Sequence, residues 1–236
     1  MKTLQAPRYA TGADAIRFEN RRSAGVLLGE EVAKLRIPAP ALVLGLPRGG
    51  MPAAFEVATA IDAPLDVMLV RKIRMPGQHE LAIGAIAHGS VVVRAPGAAS
   101  FLRSLRPSFA QLAAAEHREL ERRESIYRGG LPPLDIAGCH VVLVDDGIAT
   151  GATMLAAIRA ARKLGAASVT AATPVVSQQV ALRIAGESDR IAFLETPSIL
   201  FAVSEWYENF DPIEDIDVWE YLSRASRRHP VRPPRR

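Results

Sequence analysis

The 236-residue sequence predicts an α/β fold, a doubly wound and mostly parallel sheet flanked by helices. Three observations predict it. Short apolar runs of strand length alternate with longer stretches of helical period. The run Val141–Val144 is apolar at every position, the pattern of a strand buried on both faces. Two such runs, Ala41–Gly45 and Val141–Val144, lead directly into a glycine-containing turn that opens a helix. In open α/β sheets ligands bind at the carboxyl ends of strands, where these turns fall.

In chain order, residues 1–20 read as irregular. Asn20-Arg21-Arg22-Ser23 leads into a helix on which Ala24, Leu27, Leu28, Val32 and Leu35 share a face, and Pro38 and Pro40 stop it. Ala41–Gly45 is a buried strand, Leu46-Pro47-Arg48-Gly49-Gly50-Met51 a turn, and Pro52–Ile61 a helix. Leu65–Val70 is the next strand. It ends in Arg71–Glu80, where Arg71, Lys72 and Arg74 followed by Pro76-Gly77 describe a mobile basic loop; His79 and Glu80 are read as surface residues. Leu81–Ala87 and Ser90–Val93 are strands around a His88-Gly89 turn. After a loop at 95–100, a helical stretch from about Phe101 to Tyr127 is interrupted near Pro107. Its pairs, such as Glu119 with Arg123, mark a mainly exposed face. Gly129-Gly130 and Pro132-Pro133 link it to Val141–Val144. Then follow a helix from Met154 to Leu164 closed by Gly165, a strand Ser168–Thr173 ended by Pro174, a helix Ser177–Ile184 and a strand Arg190–Leu194. Residues 199–210 gather Phe201, Trp206, Tyr207 and Phe210; Trp206 and Tyr207 are expected to pack against the fold. The closing helix, Ile213–Arg224, is expected to turn Ile216, Trp219 and Leu222 inward.

Composition sets outer bounds. Hydrophobic residues make up 49% and charged residues 23%, ordinary for a globular protein. The single cysteine, Cys139, excludes an internal disulfide and a cysteine-cluster metal site, and reads as a small packing residue. No apolar run is long enough for a membrane span, and the N-terminus has no apolar signal core, so a cytoplasmic protein is the expectation. The net charge of +4 comes from the Arg- and Pro-rich stretch Arg224–Arg236, without which the balance turns negative. The folded body is therefore not expected to bind nucleic acid; a contact with RNA or another anion is left to the basic tail, residues 226–236, which is expected to be disordered.

The chemistry concentrates in two turns. His140–Thr153 reads H-V-V-L-V-D-D-G-I-A-T-G-A-T. A tight turn at a helix N-terminus offers free N–H groups to an anion, and Thr150 and Thr153 add hydroxyls. Carboxylates repel phosphate, so Asp145 and Asp146 need another partner, either neighbouring sugar hydroxyls or a magnesium ion. The whole reads as a cradle for a ribose 5-phosphate, with Gly147, Ile148, Ala149, Thr150, Gly151, Ala152 and Thr153 around the phosphate. An ordinary βα turn capped by Asp is the plainer alternative. The Pro47-Arg48-Gly49-Gly50 turn has the same architecture with a cation and no acid. Its amides and the Arg48 guanidinium suit a diphosphate.

At these residues the chain resembles the type I phosphoribosyltransferases, whose signature is an apolar strand, two acids, two or three variable residues and T-G-x-T, here Val141–Val144, Asp145, Asp146, Gly147-Ile148-Ala149 and Thr150-Gly151-Ala152-Thr153. The match is specific: a Walker A loop needs G-K-[ST], and this run has no Lys. The resemblance implies one domain over residues 1–225, with about 195–225 contributing a small hood. It implies transfer of the 5-phosphoribosyl group of 5-phosphoribosyl 1-diphosphate (PRPP) to a nucleobase or similar nitrogen acceptor, through a transition state with oxocarbenium character at C1. By the same resemblance Pro47, Arg48, Gly49 and Gly50 hold the pyrophosphate, often with an unusual peptide geometry, and Arg71, Lys72 and Arg74 begin a loop that closes over the reacting centre. Asp145, Asp146, Arg48 and Lys72 are the expected catalytic residues, and magnesium, shared between PRPP and the two acids, is the expected cofactor. A homodimer is the expected assembly. Phe201 or Trp206 is the candidate to stack on a base. Family members acting on 6-oxopurines usually place an Asp just before T-G-x-T; Ala149 stands there, which makes hypoxanthine or guanine a poorer expectation. Two other classes stay open: a non-catalytic PRPP-binding regulator on the same fold, and a magnesium-dependent hydrolase, for which D-x-D rather than adjacent acids would be expected.

Overall fold

The structure, a computed structural model, describes residues 17–94, 107–129 and 134–229. The irregular start, the 95–100 loop, the beginning of the long helix, the Pro132-Pro133 link and most of the basic tail fall outside these residues. Strands β1 (Ala41–Gly45), β2 (Leu65–Val67), β6 (His140–Val144), β7 (Ser168–Val175) and β8 (Arg190–Glu195) form one sheet in the order β2-β1-β6-β7-β8, every pair parallel. Each crossover carries helix or sheet on one face, as parallel pairing requires. The expected doubly wound sheet is thus present.

Strand alternation divides the interior in two. Val142 and Val144 of β6 point into a core shared with α1 (Arg21–Lys34), α2 (Met51–Ala60) and α6 (Asp215–Ser226). Val141 and Leu143 point into a second core with α4 (Ala152–Lys163) and α5 (Gln178–Glu187). All four are fully buried, which is why the run is apolar at every position. β7 continues through Pro174, where a strand end was expected. β6 ends opposite Ala172, so Pro174 has no ladder partner to lose on that side.

Two helices turn differently from the sequence reading. In α1 the inward stripe is Ala24, Gly25, Leu28, Gly29 and Val32, while Leu27 is 39% exposed. A side chain at Gly25 would come within 2.6 Å of the Ala53 backbone, so α1 and α2 touch through glycine rather than through the largest apolar groups. In α6 the inward stripe is Val218, Leu222 and Ala225; Ile216 and Trp219 face outward. No helix among the described residues is long and apolar enough to cross a membrane.

The expected basic loop at 71–80 is a hairpin. β3 (Val70–Met75) pairs antiparallel with β4 (Gln78–Ala87), and β4 with β5 (Val91–Arg94), to form a second, three-stranded sheet. Ile73 is fully buried between the cations, so alternation made a strand of what reads as a charged run. This sheet packs on α3 (Phe109–Arg128), which starts at Ser108 with a capping box to Gln111.

Under α3 lies a buried charge group. Arg128 Nε donates to Asp66 Oδ1 at 3.0 Å, both side chains nearly sealed from solvent, and His88 Nε2 accepts the Leu134 N–H at 3.2 Å. Burial, and after it the Arg128 cation, push the His88 imidazole down to about 4 from its ordinary 6.5. Between those two pH values the unfolded chain binds a proton that the folded chain refuses. Stability is therefore full above about pH 6.5 and falls as pH drops through this window, by on the order of 3 kcal/mol at its lower end. Urea unfolding at pH 7 and pH 4.5 checks this: wild type should lose most of that amount relative to His88→Gln, whose profile should be flatter.

Candidate active site

Both turns found in the sequence lie at the carboxyl ends of neighbouring strands, β1 and β6, and they touch. The backbone N–H of Leu46, entering the first turn, donates to the Val144 carbonyl at 2.8 Å. A Cβ on Gly50 would come within 2.6 Å of the Val144 carbonyl and 2.9 Å of Asp145 Cα, and one on Gly49 would overlap the Asp146 carboxylate. Only residues without side chains let the chain pass here. The Pro47–Arg48 peptide bond is cis, the unusual geometry that the resemblance led one to expect.

In the acid turn the side chains are held individually. Asp146 N–H donates to Asp145 Oδ1 at 3.0 Å. Burial, and then the neighbouring Asp146 charge, raise the Asp145 carboxyl well above the usual range. Arg21 Nε donates to Asp146 Oδ2 at 2.6 Å with both side chains mostly buried, and Tyr207 O–H donates to the Asp146 carbonyl. Two adjacent carboxyl groups, one of them ion-paired to Arg21, suit a pair of vicinal hydroxyls.

Among the described residues, the backbone N–H groups of Ala149, Thr150, Gly151 and Thr153 have no acceptor within the protein, and they lie where the turn enters α4. Ala152 N–H meets Thr150 Oγ1 at 3.5 Å. Ile148 departs from the sequence expectation: it is buried, and its N–H donates to the Val175 carbonyl at 2.8 Å as a bridge between β7 and the turn. It shapes the cradle but offers no amide to an anion.

The basic residues separate. Arg48 Nη1 donates to Glu214 Oε2 at 2.7 Å, with Asp215 Oδ1 at 3.9 Å, both at the start of α6. Arg71 pairs with Glu116 of α3 at 2.7 Å. It lines a small cleft with Pro47, Arg123 and Thr153, so β3, the first turn and the α4 start converge there. Lys72 is the next residue on the same strand, so it projects to the opposite face from Arg71; it does not line that cleft, and Arg74 is exposed. The side chains of His79 and Glu80 lie outside the described residues.

The terminal segments meet over the acid turn. Phe18 N–H donates to the Trp206 carbonyl at 2.9 Å, and Phe18 and Tyr207 form a small apolar cluster with Val203, Trp206 and Phe210. Phe18 and Tyr207 are buried, while Trp206 is half-buried and Phe201 is 82% exposed. A Cβ on Gly147 would run into the Val203 side chain, so this segment rests directly on the turn. Sequence reasoning missed Arg21, Tyr207 and Glu214. Arg21 is separated by 125 positions from the acid it meets, and no local pattern marks it.

The residues present do not fit a resident divalent cation. Arg21 already neutralises Asp146, and among the described residues no group of three His, Cys, Asp or Glu side chains converges.

With this geometry in view, residues 38–203 match the family model of the phosphoribosyl transferase domain, and the chain belongs to that family. It is 42% identical over 213 residues, 89% of its length, to a protein of Mycobacterium tuberculosis with a provisional phosphoribosyl transferase name. That match covers 47% of the mycobacterial protein, so the chain spans about half the length of the curated relatives it matches. A shorter stretch of 63 residues, 25% of this chain, is 49% identical to 22% of a ribose-phosphate pyrophosphokinase from Methanosarcina acetivorans. The crystal structure of TT1426 from Thermus thermophilus has a TM-score of 0.79 and 39% identity, covering 87% of this chain and 97% of that one.

Glycine substitutions separate the two kinds of glycine in this chain. Gly50→Ala should lower stability by about 1–3 kcal/mol, because backbone atoms surround the new methyl. Gly186→Ala, in α5 with open space around it, should be neutral or stabilising by up to about 1 kcal/mol. Thermal unfolding of the two variants measures both.

Proposed function

We propose that this chain is a PRPP-dependent phosphoribosyltransferase that moves a 5-phosphoribosyl group to a nitrogen acceptor, a nucleobase or a similar ring, and releases pyrophosphate. The observation that carries the reading is the contact between the two turns. An anion cradle with paired acids and a cationic glycine turn stand side by side at adjacent strand ends, a spacing suited to one ligand phosphorylated at both ends. The amides of Ala149, Thr150, Gly151 and Thr153, with the Thr150 and Thr153 hydroxyls, take the 5-phosphate. Asp145 and Asp146 take the ribose hydroxyls. The Pro47–Gly50 turn, Arg48 and Arg71 take the diphosphate, and Phe201 is the exposed aromatic available to a planar acceptor.

In the reaction the bond from C1 to the diphosphate oxygen breaks, and pyrophosphate leaves with the electron pair. The acceptor nitrogen forms the new bond to C1 and loses a proton to solvent. Donors aimed at the departing oxygens are the largest catalytic contribution expected here. Magnesium enters on PRPP as part of the substrate. Arg48 and Arg71 must exchange Glu214 and Glu116 for phosphate oxygens before they can serve. Their engagement by acids is also the observation that favours a second reading, a PRPP-binding regulator that expels nothing.

Pyrophosphate release from magnesium–PRPP, assayed against a panel of nucleobases, separates the readings. We expect release with at least one acceptor, lowered about ten- to a hundredfold by Asp145→Asn or Asp146→Asn. Tight PRPP binding with no release from any acceptor selects the regulator. A chain that neither binds nor consumes PRPP sinks both.

A further inference from the structure

Arg21 opens α1 and reaches across the molecule to three partners. Nε donates to Asp146 Oδ2 at 2.6 Å, Nη1 donates to the Asp211 carbonyl at 2.7 Å, and the guanidinium carbon stands 3.5 Å from the centre of the Phe210 ring. The residue is 8% exposed. Asp146 at the same time lies against the backbone of Gly49, with no room for a methyl between them. An acid side chain therefore touches the very turn that is read as holding a diphosphate. An uncompensated carboxylate there would repel any phosphate placed on the turn, and burial would strengthen the repulsion.

We propose that Arg21 is a positioning residue for the anionic substrate: by neutralising Asp146 it makes the acid turn compatible with phosphate on its neighbour, and it leaves Asp146 Oδ1 as the oxygen that meets a ribose hydroxyl. The inference rests on the PRPP reading of the site. Arg21 acts through Asp146 and touches no reacting atom. Its other two contacts, Phe210 and the Asp211 carbonyl, belong to the C-terminal segment, and Tyr207 of that segment holds the Asp146 carbonyl. The terminal segments thus set both the charge and the pose of the acid.

Calorimetric titration of the full chain with inorganic pyrophosphate and with PRPP, both with magnesium, tests this in wild type, Arg21→Gln, Arg21→Lys and the double variant Arg21→Gln/Asp146→Asn. At low salt Arg21→Gln should weaken pyrophosphate about ten- to a hundredfold, with Arg21→Lys between it and wild type. The gap should narrow only modestly at high salt, because Asp146 is mostly buried and salt screens such charges less than exposed ones. The double variant should recover pyrophosphate binding and stay weak for PRPP, since the charge is gone but so is the acid for the sugar. A folding role alone moves neither the salt dependence nor the split between the two ligands. Normal pyrophosphate binding by Arg21→Gln, or a loss that the double variant does not restore, overturns the inference. Should Arg21→Gln not fold, the double variant, which leaves no lone buried charge, and Arg21→Lys decide it by the same criteria. Wild type that binds neither ligand overturns the reading of the site itself.

Discussion

The site depends on a steric condition: two βα turns pass each other at a distance that no side chain permits. Gly49 and Gly50 meet Val144, Asp145 and Asp146 as backbone against backbone and backbone against carboxylate. The parallel pairing of β1 with β6 sets this approach, since it brings Gly45 level with Val144 and ends both strands at the same height. Everything chemical follows from it. A donor-rich helix entrance, a pair of acids and a cationic turn share one rim because their strands are neighbours.

Close approach creates an electrostatic problem that the rest of the chain answers. The acid turn carries two carboxyl groups against a turn that suits anions. Burial and mutual repulsion raise the Asp145 carboxyl above its ordinary range, and Arg21 compensates Asp146. Both solutions come from packing. The arginine is delivered by α1, and its planar guanidinium is stacked on Phe210 and held by the Asp211 carbonyl, so little freedom is left to lose. On the cationic side of the rim, Glu214 at the start of α6 and Glu116 on α3 hold the cations that a diphosphate would need. These latter pairs are partly exposed, and such pairs are weak enough to exchange partners with a ligand.

The two cores explain how a rigid platform supports this rim. β6 is buried on both faces and sits at the middle of the sheet, so its end moves little relative to β1 and β7. Ile148 extends that rigidity past the strand by bridging to Val175, which pins the middle of the acid turn while the amides on its far side stay open. The second sheet is held between α3, where Asp66, Arg128 and His88 are sealed, and α4, whose Lys163 donates to the Val92 carbonyl. It brings Arg71 to the rim from outside the main sheet.

The strand–turn–helix units, the parallel sheet and the glycine-containing turn with its adjacent acids were legible in the sequence. These features are local: the donors, glycines and acids that build each turn lie within a few residues of one another, and the solvent-shielded strands declare themselves by being apolar throughout. Tertiary structure alone decided which charges face each other and which faces turn inward. Arg21 could not be matched to Asp146 across the chain, nor Arg48 to Glu214, because an ion pair leaves no periodicity in the sequence. Leu27 and Trp219 ended outside because helix contact is governed by the closest approach of backbones and by the stripe that meets the sheet, not by the size of each apolar side chain. The basic run at 71–74 became a strand because one buried Ile73 and a partner strand outweighed its charge, which only the assembled sheet could arrange.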